Sequence, residues 1–118
     1  MNVKRGDVVL VDFPFPKATG SKVRPALVVQ NDLDNTRLPN TIVAQVTGNV
    51  QRAGEPTQVL IDISTADGKQ SGLQFDSVVN CANIVTLDKD NVLRRIGRLS
   101  DPLMKMVNDA LKAALDLA

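Results

Sequence analysis

Among the 118 residues of this chain, the first side chain whose type and place suggest chemistry is an arginine opening an otherwise apolar strand. Arg24 stands in KVRPALVVQN, Lys22 to Asn31, directly before a proline and just after the glycine-containing segment KATGS. A guanidinium at the mouth of a core strand can meet an anion, and its planar fork donates two parallel hydrogen bonds to phosphate while staying charged. The second candidate is Thr47, which closes the segment TIVAQVT. Beside Arg24 its hydroxyl becomes another donor to one phosphate. In phosphoryl transfer the non-bridging oxygens gain charge, and one preorganised donor aimed at them contributes about 3 kcal/mol. The plainer readings are a surface arginine snorkelling into solvent and a β-branched strand threonine.

What the chain lacks narrows the chemistry further. It has no histidine, tyrosine or tryptophan, which removes the commonest general base and the commonest metal ligand and speaks against zinc sites and histidine triads. No ligand cluster for a metal is apparent, so phosphodiester chemistry here calls for a substrate that brings its own nucleophile. RNA does so through its 2′-hydroxyl. The carboxylates Asp12, Asp32, Asp62, Asp76 and Asp88 show no spacing that singles out a general base. Only Phe13, Phe15 and Phe75 could stack on bases, so base reading has to be polar. Arg94, Arg95 and Arg98 read as a solvated edge near the last helix, and the lone Cys81 as a small buried strand residue.

The elements that must position Arg24 and Thr47 come next. Gly6 to Phe13 is a β-branched run ending in FPFP, whose two X-Pro steps stop further pairing and open a loop at Pro14–Ser21. Val23–Gln30 and Thr41–Thr47 are the second and third strands. If they pair antiparallel with Gln30 opposite Thr41, one face carries Pro25, Leu27, Val29, Ile42, Ala44 and Val46, and Arg24 falls opposite Thr47. A slip of one residue would mix polar and apolar groups on both faces. Gly48–Pro56 is a loop, Thr57–Ile63 a fourth strand, Ser64–Gly72 a further loop, and Leu73–Thr86 holds at least one strand around Ser77–Cys81. Ser-Asp-Pro at Ser100–Pro102 caps an amphipathic helix from about Asp101 to Leu117, with Leu103, Val107, Ala110, Leu111, Ala114 and Leu115 on one side.

Short strands with polar turns and one terminal helix imply a mainly β fold with α, a small and strongly bent sheet or barrel. Length fits a single domain, residues 1–118. Hydrophobic residues make up 43% and charged residues 23%, the balance of a globular chain rather than a disordered one. The net charge of +1 exerts no global pull on nucleic acid, but residues 13–54 carry +3 as a local field. A single cysteine excludes an intrachain disulfide and fits a reducing compartment. The apolar run Val8–Val11 is too short for a signal-peptide core or a membrane span, so a cytoplasmic protein away from membranes is expected.

RGDVVLVDF, a loop with GS, VRPALVVQND, TIVAQVT, GLQFDSVV, TLDK and the final helix together resemble, in order and spacing, the MazF/PemK toxin family across essentially the whole chain. The resemblance implies a small SH3-like β-barrel with helices, a homodimer, and a metal-independent endoribonuclease that cuts single-stranded RNA at short motifs. It further implies no cofactor, a 2′,3′-cyclic phosphate product, and a cognate antitoxin whose acidic or extended tail fills the RNA groove. Arg24 and Thr47 match the family's catalytic pair. RNA contacts are assigned to Lys17, Thr19, Ser21, Lys22, Gln45, Asn49, Gln51 and Ser77.

The chain departs from the family in two places. The first loop reads GSK and is short, without the usual acidic residue. Cys81–Ile84 reads CANI where relatives often read EQI or DQ, and Ala82 has no carboxylate to serve as the aspartate assigned there in some of them. Two other functions on the same fold are a gyrase-binding toxin without catalysis, disfavoured because the chain ends LDLA without an aromatic anchor, and a weakly catalytic binding module that uses the shortened loop.

Overall fold

The computed structural model describes residues 1–14 and 21–118. β1 (Asp7–Pro14) and β2 (Ser21–Val28) pair antiparallel, with Val11 against Arg24 and Pro14 against Ser21. The bulk of the expected first loop, with Lys17 and Thr19, lies outside the described residues.

β3 (Asn40–Thr47) pairs with β2 through Ala26 and Gln45, Leu27 and Ala44, and Val28 and Val43. This is the register expected from the alternation of the two strands. Between them the chain forms α1 (Asp32–Arg37), where the sequence suggested only a polar connection. Asn31 caps that helix by accepting the N–H of Asp34 at 2.9 Å, and Arg37 pairs with Asp34 at 3.0 Å. Six residues are too few to show an apolar stripe, so caps and a local ion pair carry the helix.

β4 (Gln58–Ile61) and α2 (Ala66–Gln70) follow; α2 falls inside the segment expected to be a third loop. β5 (Ser77–Asp88) is longer than the sequence suggested and pairs with both β3 and β4. A 3₁₀ turn over Lys89–Asn91 leads to β6 (Val92–Arg98) and then α3 (Asp101–Leu115), capped by Ser100 as its sequence requires. None of the described helices is long and apolar enough to cross a membrane.

The six strands form one antiparallel sheet in the order β4-β5-β3-β2-β1-β6. The bent sheet stays open, with β4 and β6 as its edges, rather than closing into a barrel. Both faces are buried. On one, Val8, Leu27, Ala44, Val46, Ile61 and Val79 pack with Leu99, Val107 and Ala110, so α3 covers that side. On the other, Val3, Val9, Val11, Ala26, Val28, Val43, Leu87 and Val92 form a second core. A single flat sheet in so short a chain could not cover both faces, and bending brings the second face against itself.

The bend has a visible source in β5. Ala44 lies opposite Ile84 while its neighbour Gln45 lies opposite Asn80, so Cys81, Ala82 and Asn83 are extra residues on one strand. Such a bulge turns the strand and re-aims its side chains. The CANI segment is that bulge.

Candidate active site

β2 and β3 bring Arg24 and Thr47 to the same end of the sheet. Their bonded ladder stops at Ala26 and Gln45, and past that point the strands open into a hollow of about 840 Å³ that both side chains line. Gln45, Ser77, Gln74, Phe75, Arg94 and Arg95 line it with them. Arg24 and Gln45 also line a second hollow of about 440 Å³, together with Phe13, Asn83, Val85, Thr86, Leu87, Asp88 and Asn91. The two residues therefore form a ridge with a cavity on either side.

Arg24 is exposed, so its guanidinium is open to a ligand. Thr47 is half-buried, and its Oγ1 accepts the N–H of Asn49 at 3.1 Å. That bond uses a lone pair and leaves the hydroxyl proton to donate elsewhere. Asn49 Oδ1 accepts the N–H of Gln51 at 3.1 Å, so these two residues shape the turn after β3.

The amides around the ridge are held by one another. Asn83 Nδ2 donates to Gln45 Oε1 at 2.6 Å, which fixes the Gln45 carbonyl and leaves its Nε2 to face a ligand. Asn80 Oδ1 accepts from Gln58 Nε2 at 2.9 Å and from the N–H of Ala82 at 3.1 Å, pinning the bulge to β4. Burial pushes the Cys81 thiol up to about 11, so at neutral pH the sulfur is a protonated core atom, not a nucleophile.

Of the residues expected from the sequence, Arg24, Thr47, Gln45 and Ser77 meet at the larger hollow. Ser77 is buried and spends its hydroxyl proton on the carbonyl of Phe75 at 2.8 Å. Lys22 is exposed opposite Phe13 on the β1–β2 hairpin, and among the described lining residues neither it nor Asn49 nor Gln51 appears. Lys17 and Thr19 lie outside the described residues, and Ser21 is placed only by its backbone pairing with Pro14.

The sequence pattern does not reveal Asn83, whose place depends on the bulge. Arg94 and Arg95 are exposed on the edge strand β6, just before α3, in keeping with the solvated edge expected there; Arg94 lines the larger hollow, while the Arg95 guanidinium pairs with Asp7 at 3.7 Å in a neighbouring one. The one local signal for that strand is the run VLRRIGR between the Asp-Asn turn and the helix cap.

Residues 4–115 match the model of the PemK-like, MazF-like toxins of type II toxin–antitoxin systems. The chain belongs to this family. It is 41% identical to the endoribonuclease EndoA of Bacillus subtilis, covering 99% of this chain and 97% of that protein. With the endoribonuclease MazF of Staphylococcus saprophyticus the identity is 38%, over 98% of this chain and 92% of the relative. Among solved structures it resembles a mycobacterial endoribonuclease in complex with its cognate antitoxin, at a TM-score of 0.80 and 28% identity, covering 98% of this chain and 97% of that one. In this MazF-like toxin the shared fold thus carries a groove lined by Arg24 and Thr47.

Proposed function

We propose that this MazF-like toxin is a metal-independent endoribonuclease that cuts single-stranded RNA at a short sequence, using the 2′-hydroxyl of the substrate as nucleophile. The observation that carries this reading is that Arg24 and Thr47 line one groove in a chain of this family. In the step, the 2′-oxygen attacks phosphorus and loses its proton to solvent or a nearby base, while the bond from phosphorus to the 5′-oxygen breaks. The products are a 2′,3′-cyclic phosphate and a 5′-hydroxyl.

Arg24 holds the non-bridging oxygens bidentately and stands to protonate the leaving 5′-oxygen, and Thr47 donates its free hydroxyl proton to the same phosphate. Gln45 and Asn83 read a base in the smaller hollow, over an apolar floor formed by Phe13, Val85 and Leu87. The protein acts in the cytoplasm as a homodimer, and a cognate antitoxin silences it by occupying the groove. The relatives named as endoribonucleases and the mycobacterial complex with its antitoxin support this reading.

Arg24→Ala and Thr47→Val are expected to slow cleavage by about 100-fold or more while the fold holds, in line with the loss of one preorganised donor. Cleavage is expected to survive EDTA. Full-rate cleavage by either variant would remove that residue from the site, and loss of activity in EDTA would overturn the metal-free mechanism.

A further inference from the structure

Phe75 lines the larger hollow and is itself 73% exposed. A single exposed apolar residue is ordinary and by itself marks nothing. Phe75 differs in where it stands and how it is held. It shares the hollow of Arg24 and Thr47, and it also lines a neighbouring one of about 800 Å³ with Val50, Asp62, Ile63 and Ser64. Gly48, the residue after Thr47, lines both hollows with it. Phe75 therefore belongs to the wall between them, beside the turn that follows Thr47.

The backbone on either side of Phe75 is fixed. Its carbonyl accepts the hydroxyl of Ser77 at 2.8 Å, and Asp76 Oδ1 accepts the N–H of Ile63 at 3.0 Å. Upstream, Gly72 lies so close to the carbonyl of Ile96 that a Cβ there would overlap it. With both flanks already ordered, the exposed residue can be covered at little further cost in chain entropy.

Charge tells what covers it. The larger hollow carries Arg24 and Arg94, and its described lining residues include neither aspartate nor glutamate. The neighbouring hollow carries Asp62 and Asp76. A phosphate backbone is drawn to the first and repelled by the second, so a nucleotide at this wall keeps its phosphate by the arginines and turns its base to Phe75. An aromatic ring beside cations is the pairing with which proteins hold single-stranded nucleic acid, because every base offers a π-face.

We infer that Phe75 stacks on a base of the bound RNA next to the scissile phosphate. The inference rests on the reading that Arg24 and Thr47 hold that phosphate. Stacking grips a base without reading its edge, so Phe75 adds affinity and register while the choice of base stays with Gln45 and Asn83.

The test uses the full-length protein with Phe75→Ala and Phe75→Trp, whose thermal melts should match the parent because the side chain is exposed. The probe is an RNA oligonucleotide spanning a cut site mapped for the parent, with a 2′-deoxyribose at the cleaved nucleotide to prevent cutting. Phe75→Ala should bind it about tenfold more weakly, and Phe75→Trp at least as tightly as the parent. The chain has no tryptophan or tyrosine, so the emission of Phe75→Trp reports residue 75 alone, and stacking should quench it on binding. With cleavable RNA the loss in Phe75→Ala should fall on kcat/KM, leaving the saturated rate within about twofold of the parent.

Bases are then removed one at a time by abasic substitution. At one position beside the cut, removal should weaken binding of the parent about tenfold and leave Phe75→Ala unaffected. Parent-like RNA affinity in Phe75→Ala would overturn the inference and leave this wall to a protein partner. Emission of Phe75→Trp that RNA does not change would overturn it as well. Full-rate cleavage by Arg24→Ala would instead overturn the reading beneath it, and a parent protein that cuts no RNA would overturn both.

Discussion

Asn83 donates its side-chain amide to Oε1 of Gln45 at 2.6 Å, tying the bulge of β5 to the strand that ends in Thr47. Gln45 is part of the ridge between the two hollows, so this bond sets the direction of an amide that lines the smaller hollow with Arg24, Phe13 and Leu87. Asn83→Ala frees Gln45 to rotate. A typical hydrogen bond contributes about 0.5–1.5 kcal/mol, so cleavage at the preferred site should fall about 2–10-fold. The set of cut sites should broaden at the same time. Mapping the ends produced on a long RNA checks both outcomes, and an unchanged cut-site distribution would take Asn83 out of base reading.

The groove rim depends on two glycines where backbones touch. A Cβ on Gly97 of β6 would run into the backbone of Ser71, and one on Gly72 would run into the carbonyl of Ile96. Gly72 also sits at φ +75, which side-chain-bearing residues rarely adopt. This close approach lays the segment Leu73–Phe75 against β6 beside Arg94 and Arg95. Gly97→Ala should cost about 1–3 kcal/mol through overpacking. The melting temperature should fall by several degrees, about 4–8 °C per kcal/mol in a domain of this size. Gly54→Ala is the control, since nothing lies within 4 Å of a Cβ there and its melting temperature should hold or rise slightly.

Asp32 links the N-terminal segment to α1. Its Oδ1 accepts the N–H of Arg5 at 2.7 Å and the Asn35 amide at 3.2 Å. The Arg5 N–H, foremost, holds its carboxyl below the ordinary value of 3.8. A folded-state value below the unfolded one stabilises the protein above the unfolded value, and that contribution is lost as pH falls through the folded value. The parent should therefore resist urea better than Asp32→Asn at neutral pH. The gap should close as pH drops below the ordinary 3.8. Urea midpoints measured across that range would show it, and a gap that persists in strong acid would mean the carboxylate's charge is not the stabilising feature.

The pairing of β2 with β3 is legible in the residue pattern of the two strands. Alternation along them leaves one register that keeps a whole face apolar, and a slip of one residue inverts every side chain. The meeting of Arg24 with Thr47 follows from that register, and α3 follows from its cap and its apolar spacing. The short helices α1 and α2 are not legible, because five or six residues display no period and their caps look like turn residues.

The family resemblance, the central strand pair and the placing of Arg24 and Thr47 at its mouth are written in local residue type and spacing. What surrounds Arg24 and Thr47 comes from the tertiary structure. Asn83 reaches Gln45 only because three extra residues in β5 turn the strand. Arg94 reaches the groove, and Arg95 reaches Asp7, only because β6 returns to pair with β1, through register shifts that no alternation pattern encodes. Contacts between residues far apart in the chain depend on how the sheet bends, and the bend is set by the bulge and by packing on both faces rather than by any one segment.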